Sequence, residues 1–462
     1  MNDDNASARV IHDLRRAAAA GPGSRLPSVR ELISRHRVSP ATVARATRQL
    51  TAEGVIEAVP GRGLFAATAP RGSGVPDLDW QTVALGARPD GEEALQALLA
   101  VPPPGAIPLS GGYLDAVLQP AAALAGALAR AARHPASWDR GDVAGHPDLR
   151  SWFARESGGL LRAEDMVICP GGQAALTTAI RALTAPGEPV LVESPTYLGV
   201  LAAARAAGRR VVPVPADHDG VRPELLAAAF ARTGARLFYC QPLYANPSGA
   251  VLAAGRRAAV LDAARVAGAF VIEDDYARDL TIDGEPAPPL VTADVDGHVV
   301  YLRSLTKAVA PGLRVAALGA RGAAGQRLRS ARVLDDFFVA GPLQRAALEF
   351  VTSPVWPRHR RALRSALRER RDALLTALGR HLPTLVPAVV PRGGFHLWVR
   401  LPSGVDEAAL VTAAAAAGVV VFPGRPWFAA EPPGEFLRLT YAAAPPELLD
   451  DGVRRLVRAW SW

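Results

Sequence analysis

The sequence predicts an α/β protein of two parts. A small helical module that ends in a β-ribbon precedes a large domain with a mainly parallel sheet and a small C-terminal lobe. Three observations carry this prediction: basic residues concentrate between residues 9 and 67, a Pro- and Gly-rich segment follows, and apolar strands that end in polar residues recur beyond it. We assign the first domain to residues 1–67, a flexible linker to 68–78 and the large domain to 79–462.

The positive charge of the chain is unevenly distributed. The whole sequence of 462 residues carries a formal net charge of +8, and ten arginines face four carboxylates between residues 9 and 67, an excess of six positive charges. The remainder is nearly balanced for its size. A compact basic module joined to a near-neutral one indicates that nucleic acid binds at one end of the chain only.

Composition argues against several classes of protein. The start of the chain is acidic and no apolar core of a signal peptide follows it, and no apolar run reaches the length that spans a membrane. Cys169 and Cys240 lie far apart and fit neither a metal site nor a disulfide framework. We expect a soluble cytoplasmic protein that binds neither membrane nor metal.

Three helices are predicted in the basic module. An alanine-rich helix is expected over residues 6–20. Ser28 and Glu31 have the spacing of a capping box, which begins a second helix. The pair Ser39-Pro40 supplies an N-cap and a first-turn proline for a third helix that runs to about Glu53.

The third helix combines an apolar side with a basic surface. Its apolar side recurs at helical spacing in Val43, Ala46 and Leu50. Its surface is expected to carry the polar residues Thr42, Arg45, Arg48 and Gln49. A two-stranded ribbon follows over 54–66, with Arg62 between two glycines at its tip. Three helices and a basic ribbon in this order describe a winged-helix DNA-binding domain.

This module resembles the GntR family of regulators over residues 8–67. The similarity is carried by Leu-Pro-Ser-x-Arg-Glu-Leu, Val-Ser-x-x-Thr-Val and Gly-Val-Ile-Glu before Gly-Arg-Gly. It implies that Arg30 and Thr42 contact DNA phosphates, that the third helix enters the major groove and that Arg62 reaches toward the minor groove. Many relatives have an arginine where this chain has Pro40, and the resemblance leaves open whether Arg45 or Arg48 replaces it.

Lys307 is the only lysine in the sequence, although lysine and arginine together number 52. Arginine cannot replace a lysine whose uncharged amine must form a Schiff base, because a guanidinium stays protonated. Ser304 stands three residues before Lys307 and Arg314 seven after it. A hydroxyl and a guanidinium beside an amine suit a cofactor that has an aldehyde and a phosphate ester.

Two further segments fit the same kind of ligand. Gly171-Gly172-Gln173 opens a helix directly after the strand 166–169, and free N–H groups at a helix N-terminus attract an anion. The apolar strand 270–274 delivers Asp274 at its C-terminal end, where α/β folds place ligand-contacting groups. An ionised carboxylate is what the pyridine nitrogen of pyridoxal phosphate (PLP) requires.

Over roughly residues 100–460 the chain resembles the fold-type I, PLP-dependent aminotransferases, through Ser-x-x-Lys…Arg, Asn-Pro-Ser-Gly and the segments above. The resemblance implies that Lys307 bonds to the cofactor, that Asp274 pairs with its nitrogen, with Asp275 as the alternative, and that Arg438 grips a carboxylate. The other implied cofactor or effector contacts are Gly112, Gly172, Gln173, Tyr197, Asn246, Tyr276, Ser304, Thr306 and Arg314. One departure is Arg140, which stands where relatives often have an aromatic residue.

The roles of these contacts follow the same resemblance. Ser304, Thr306 and Arg314 would hold the phosphate together with the glycine turn, and Tyr197 would stack on the pyridine ring. Asn246 and Tyr276 would bind the phenolic oxygen O3′ of PLP. Gly112 belongs to a turn that presents backbone N–H groups to a substrate carboxylate.

A GntR-like module joined to an aminotransferase-like domain is the layout of the MocR family, and the chain resembles members of that family. This implies a homodimeric regulator that binds two half-sites of double-stranded DNA and senses PLP, an amino compound or their adduct. The alternative is an active aminotransferase with an accessory winged-helix module. A pure DNA-binding repressor with a dead second domain is disfavoured, because a dead site would not need its single lysine.

Overall fold

The computed structural model describes residues 3–68, 77–86 and 92–460, so residues 69–76 of the predicted linker lie outside the described part. The chain divides into two compact units, one within Met1–Ala87 and one within Arg88–Trp462. Within the described ranges, no helix is long and apolar enough to cross a membrane. The same ranges contain no group of three or more His, Cys, Asp or Glu residues that could hold a metal ion.

The first unit contains the predicted three helices and ribbon. Its elements are α1 (Asp3–Ala18), α2 (Val29–His36), α3 (Pro40–Ala52), β1 (Ile56–Val59), β2 (Gly63–Ala66) and α4 (Asp79–Leu85). β1 and β2 pair antiparallel. Val10, Leu14, Leu32, Val43 and Leu50 are fully buried and form the centre of its core.

Both predicted N-caps are present. Ser28 and Glu31 form a complete capping box at α2. At α3 the Ser39 side chain accepts a hydrogen bond from the backbone N–H of Thr42, and the two hydroxyls are 2.9 Å apart. The expectation that the Thr42 side chain lies on the surface was wrong, since it is only 3% exposed. Its hydroxyl is turned toward the cap residue instead of away from the helix.

Short strands and longer helices alternate through most of the second unit. The strands are β3 (Ile107–Pro108), β4 (Met166–Cys169), β5 (Pro189–Ser194), β6 (Arg210–Asp217), β7 (Gly220–Val221), β8 (Leu237–Cys240), β9 (Phe270–Asp274), β10 (Val299–Ser304), β11 (Ala316–Gly319), β12 (His396–Arg400), β13 (Val419–Val420), β14 (Phe422–Pro423) and β15 (Phe436–Thr440). The helices are α5 (Glu92–Leu99), α6 (Ala121–Arg133), α7 (Pro147–Glu156), α8 (Gly172–Leu183), α9 (Leu198–Ala206), α10 (Pro223–Thr233), α11 (Ala254–Ala267), α12 (Gly322–Asp336), α13 (Gly341–Thr352), α14 (Val355–His381), α15 (Glu407–Ala416) and α16 (Pro446–Trp460).

The main sheet has eight strands in the order β4-β11-β10-β9-β8-β5-β6-β7. The five strands from β10 to β6 are parallel, whereas β11 and β7 run antiparallel to their neighbours. This confirms the α/β class and the mainly parallel sheet. Because β4 is antiparallel to β11, it runs in the same direction as β10, and the carboxyl ends of β4, β10, β9, β8 and β5 share one edge of the sheet.

Apolar clusters cover both faces of this sheet. A smaller antiparallel sheet, β12-β15-β14, forms the C-terminal lobe, where Arg438 of β15 is registered against Trp398 and Phe422. Two arginines of the arginine-rich helices α12 and α14, Arg332 and Arg370, are buried, although charged helix faces are usually solvated. Arg370 binds Asp115 and the carbonyl of Ala442, which lie in other parts of the fold. The partner of Arg332 lies one helical turn away.

Candidate cofactor and effector site

One cavity collects every cofactor and effector residue that the sequence predicts in the second unit. It lies at the edge of the sheet where the carboxyl ends of the parallel strands meet, the position at which α/β folds bind ligands. Its lining includes Gly112, Gly172, Gln173, Tyr197, Asn246, Asp274, Tyr276, Ser304, Thr306, Lys307, Arg314 and Arg438. Arg140 is exposed and does not line this cavity.

Lys307 follows β10 and directs its amine into the cavity. Its Nζ donates a hydrogen bond to the Gly112 carbonyl at 2.7 Å and lies 3.9 Å from the centroid of the Tyr113 ring. Burial lowers the pKa of this amine to about 7, and the positive charges of Arg438 and Arg314 add to the effect. A lysine with this pKa is largely neutral at mildly alkaline pH and can act as a nucleophile.

The amino end of α8 forms an anion-binding corner together with Arg314. Gly171 has φ +98°, a conformation that favours glycine, and a Cβ there would collide with the Arg314 guanidinium. Arg314 Nη2 donates to the Pro170 carbonyl at 2.9 Å. Ser304 Oγ lies 3.0 Å from Thr306 Oγ1. This corner of the cavity provides the hydrogen-bond donors that bind a phosphate group: helix N–H groups, two hydroxyls and a guanidinium.

Asp274 is buried at the end of β9 and faces the cavity. Its Oδ2 accepts hydrogen bonds from the Tyr239 hydroxyl at 2.6 Å and from Gln241 Nε2 at 2.8 Å. Burial raises the pKa of this carboxyl to about 6, and the two hydrogen bonds oppose that rise. The neighbouring Asp275 instead binds the Tyr301 hydroxyl at 2.7 Å and the Arg278 guanidinium, and it does not line the cavity.

Gln241 is a positioning residue that the sequence prediction missed. Its backbone N–H donates to the buried Glu193 at 2.9 Å, and its side-chain oxygen accepts from the backbone N–H of Asn246 at 2.9 Å. Its side-chain nitrogen holds Asp274. One buried amide thus ties the end of β8, the Asn246 loop and the end of β9 together. A glutamine directly after the apolar run 237–240 is the only signal that the sequence gives for it.

The two predicted aromatic contacts have different hydroxyl partners. The Tyr197 hydroxyl donates to Gln173 Oε1 at 3.1 Å, and Gln173 Nε2 in turn donates to the Gly199 carbonyl at 2.9 Å. The Tyr276 hydroxyl donates to the Tyr244 carbonyl at 2.8 Å. Both side chains line the cavity. Their predicted roles toward a cofactor ring and its O3′ atom stay predictions.

Arg438 is a fully buried cation at the other end of the cavity. It donates to the carbonyls of Ser110 and Gly111 and to Asn246 Oδ1 at 3.3 Å, and its guanidinium lies 4.5 Å from the centroid of Trp427. Burial lowers its pKa to about 9. Its Nε is buried without a hydrogen-bond partner among the described residues. These contacts fix the guanidinium in the position from which it can bind a carboxylate.

His396 also lines the cavity and was not predicted from the sequence. Its Nε2 lies 3.4 Å from Arg438 Nη1, and its Nδ1 has no partner among the described residues. Burial lowers the pKa of this imidazole well below its usual range, and Arg438 and Lys307 add to the effect. The ring is therefore neutral at physiological pH.

The charges of the cavity fit an anionic cofactor and an anionic effector group. Arg314 and Arg438 carry positive charge there, and the amine of Lys307, with a pKa of about 7, is partly protonated at neutral pH; the carboxylate among the described lining residues is Asp274. PLP brings a phosphate, an aldehyde and a pyridine nitrogen, and the cavity offers an anion corner, a nucleophilic amine and a buried carboxylate. Arg438 is not needed for these groups of PLP and is available to bind a further carboxylate. The residues present therefore fit PLP.

The predicted DNA contacts in the first unit differ in exposure. Arg30 on α2, Arg45 and Arg48 on α3 and Arg62 at the ribbon tip are all exposed. Arg62 lies over the Phe65 ring at 5.7 Å from its centroid. Thr42 is buried, and both its hydroxyl and its backbone N–H are directed at the Ser39 hydroxyl. All five assignments to DNA stay predictions.

Comparisons with known proteins identify two family matches. Residues 110–456 match the family described as aminotransferase class I and II. Residues 4–65 match the family described as bacterial regulatory proteins, gntR family. Together the two matches account for most of the described chain.

Similar proteins include both regulators and enzymes. The uncharacterized HTH-type transcriptional regulator YdfD of Bacillus subtilis is 28% identical over 97% of this chain and 95% of its own length. The probable rhizopine catabolism regulatory protein MocR of Rhizobium meliloti is 27% identical over 95% of this chain and 89% of its own. A 2-aminoadipate transaminase of Thermus thermophilus is 33% identical, covering 77% of this chain and 90% of its own.

Among solved structures, LysN, an alpha-aminoadipate aminotransferase from Thermus thermophilus, superposes with a TM-score of 0.74. It is 31% identical and covers 79% of this chain and 94% of its own. That structure is a complex with N-(5′-phosphopyridoxyl)-L-leucine.

Proposed function

Since the chain belongs to the aminotransferase class I and II family and joins that domain to a gntR-family domain, as MocR-type regulators do, we propose that occupancy of its PLP site controls its binding to DNA. The chain is a gntR-type transcriptional regulator with a PLP-dependent, aminotransferase-like domain. The observation that carries the proposal is the coexistence of an exposed basic α3 and ribbon with a cavity that keeps all its predicted cofactor residues.

Each side chain of the cavity has a separate task in this proposal. PLP, when bound, supplies an aldehyde that captures amines and a ring that withdraws electrons from them. Lys307 would bind the cofactor through its neutral amine, and the α8 end, Ser304 and Arg314 would hold the phosphate. Asp274, held by Tyr239 and Gln241, would keep a proton on the ring nitrogen. Tyr197 would cover the ring and exclude water from it.

The effector would be a small amine that also carries a carboxylate. Among the described cations of the cavity, only Arg438 has no part in these cofactor contacts. A guanidinium binds a carboxylate through two parallel hydrogen bonds. A ligand shifts a conformational equilibrium only by its difference in affinity for the two states. The captured amine would therefore favour one arrangement of the DNA-binding units over another.

We include a homodimer in the proposal. The gntR-type domain is a winged-helix module, and two such modules related by a two-fold axis read two half-sites on one face of DNA. The proposal includes a cytoplasmic location, because a DNA-binding regulator has to reach its operator there. PLP alone or an amino compound with PLP are the two candidate signals.

An active aminotransferase is the second candidate function. The specific observation in its favour is that the residues for transamination are together, with Lys307 as a base of lowered pKa, Asp274 at the ring nitrogen and Arg438 for the substrate carboxylate. The 2-aminoadipate transaminase relative matches 77% of this chain, whereas the regulators YdfD and MocR match 97% and 95% of it. The regulator is therefore the better-supported function.

The experiment that separates the two functions is a DNA footprint on the sequence upstream of the protein's own gene, with and without PLP. The regulator predicts two protected half-sites whose affinity or pattern responds to PLP. No protection in either condition, together with conversion of PLP to its amine form by amino donors, would favour the aminotransferase.

A further inference from the structure

Three successive backbone carbonyls of the second unit accept hydrogen bonds from groups that the proposed function reserves for ligands. Arg438 Nη2 donates to the carbonyl of Ser110 and to that of Gly111, the latter at 3.4 Å. The Lys307 amine donates to the carbonyl of Gly112 at 2.7 Å. The segment formed by these three residues, here called the glycine segment, therefore occupies the guanidinium and the amine at the same time.

The contact of the glycine segment with Nη2 decides how a carboxylate can reach Arg438. A guanidinium offers a carboxylate two faces with two parallel N–H groups, Nη1 with Nη2 and Nε with Nη2. Nη2 belongs to both faces. Nη1 also donates to Asn246 Oδ1 at 3.3 Å, whereas Nε is buried without a hydrogen-bond partner among the described residues. A carboxylate that forms two hydrogen bonds with Arg438 has to replace the carbonyls of the glycine segment at Nη2.

Both ends of the glycine segment are anchored in the fold. On one side the carbonyl of Leu109 accepts a hydrogen bond from the backbone N–H of Thr440 at 2.8 Å. On the other side the backbone N–H of Asp115 donates to the carbonyl of Ala442 at 2.8 Å. Because its ends are held, the segment can release Arg438 by rotating its peptide units more readily than by leaving the cavity as a whole.

Gly111 and Gly112 permit such a rotation. A half-turn of a peptide unit exchanges its carbonyl for its N–H and moves the φ of the following residue into or next to the positive range, which glycine adopts without strain. Neither glycine has a left-handed φ in the observed conformation. A Cβ at Gly111 would lie 3.8 Å from the Ala443 Cβ, and one at Gly112 would lie 3.6 Å from the Lys307 Nζ, which are ordinary contacts. Alanine therefore fits the observed conformation and opposes the rotated one.

We propose that the glycine segment is a two-state switch that the carboxylate of the effector operates. In the observed state its carbonyls face Arg438. In the second state the peptide units are rotated, and their N–H groups donate to a carboxylate bound by Arg438. A carbonyl is favourable beside a cation and an N–H is favourable beside an anion, so the carboxylate binds the second state better and shifts the equilibrium toward it. This inference rests on the proposed function, which takes Arg438 as the carboxylate-binding group.

The test compares two stable probes that differ only in a carboxylate, N-(5′-phosphopyridoxyl)-L-alanine and N-(5′-phosphopyridoxyl)-ethylamine. Their affinities for the full-length protein, from which PLP has been removed, are measured by calorimetry. The wild type should bind the alanine probe about 100-fold more tightly, as a buried guanidinium–carboxylate pair predicts. Gly111→Ala and Gly112→Ala should each reduce this ratio about fivefold to thirtyfold, because left-handed backbone is unfavourable for a residue with a Cβ.

The matched control is Gly255→Ala on α11, where the added Cβ meets no atom within 4 Å, and it should leave the ratio unchanged. Recovery of the visible absorbance on addition of PLP shows that each variant is folded. If the wild type prefers the alanine probe and neither Gly111→Ala nor Gly112→Ala lowers the ratio, the switch is wrong and the proposed function stands. Equal affinities of the wild type for both probes would show that Arg438 does not bind the carboxylate, which would contradict the proposed effector site as well.

Discussion

The arginines that are proposed to bind ligands differ in burial between the two units. In the first unit Arg30, Arg45, Arg48 and Arg62 are exposed on α2, α3 and the ribbon. In the second unit Arg438 is 1% exposed and held by three oxygen acceptors and an aromatic ring. Exposed cations act at a distance and are screened by salt, whereas a buried cation acts only on a group that reaches it in one geometry. The first pattern suits a polyanion and the second a small ligand.

The largest effect is expected at Lys307, the amine of the cavity. Lys307→Arg keeps a positive charge but removes the amine that can bond to an aldehyde, so the visible absorbance of lysine-bound PLP should be lost completely. Lys307→Ala should behave in the same way. If either variant keeps the wild-type visible spectrum, Lys307 does not bind the cofactor. Since the sequence has no other lysine, borohydride reduction and peptide mapping of the wild type should place the label in one peptide.

Arg438→Ala should weaken effector binding about 100-fold, because a buried guanidinium that pairs with a carboxylate is worth roughly 2–5 kcal/mol on truncation. PLP binding should remain, and a spectral titration measures both. The matched control is Arg400→Ala, an exposed arginine on β12 of the same small sheet, which should leave the effector affinity unchanged. A similar loss in both variants would show that the small lobe, and not the buried charge, determines binding.

The lowered pKa of Lys307 predicts how its reactivity depends on pH in the PLP-free protein. With a pKa of about 7, the neutral fraction of its amine falls about tenfold from pH 8 to pH 6 and is nearly constant above pH 8. Acetylation by limiting acetic anhydride, quantified on the lysine peptide, should follow that curve. An ordinary lysine would instead gain reactivity steadily up to pH 10. That result would contradict the burial of the amine among Arg314 and Arg438.

The smallest effect is expected for a single exposed arginine of the first unit. Arg48→Ala should weaken DNA binding several-fold at about 0.1 M salt and lower the slope of log affinity against log salt by about 1 if the residue contacts a phosphate. Arg16→Ala on α1, whose side chain is 80% exposed, is the control and should change neither quantity. A loss of more than about 100-fold in Arg48→Ala would indicate a base contact in a defined geometry, which would remove the contrast between the two units.

Local sequence patterns were sufficient for the helix caps of the first unit and for part of the cavity, whereas most of the cavity contacts were expected from the resemblance to aminotransferases. The capping box at Ser28 and the N-cap at Ser39 depend on residues three apart, and both are present. The strand that ends in Asp274 is visible as an apolar run. The choice between Asp274 and Asp275 needed the structure, because adjacent residues of a strand face opposite sides and only three-dimensional packing decides which side is the cavity.

What the sequence did not predict depends on contacts between distant residues. Gln241 joins Glu193, Asn246 and Asp274, which are 5 to 48 residues away. His396 meets Arg438 across two strands of the small sheet. A charged helix face is usually exposed, and the burial of Arg370 on such a helix depends on acceptors at Asp115 and Ala442. No local pattern contains this information.

The most direct test of the central claim is a joint titration of one sample that contains PLP-loaded protein and fluorescent operator DNA. Visible absorbance would report capture of an added α-amino acid at the Lys307 site, and fluorescence anisotropy would report DNA binding. The account predicts that DNA affinity changes with the same midpoint as the absorbance, and that Arg438→Ala moves both midpoints together. A change in absorbance with constant DNA affinity would contradict the claim that the cavity controls the DNA-binding unit.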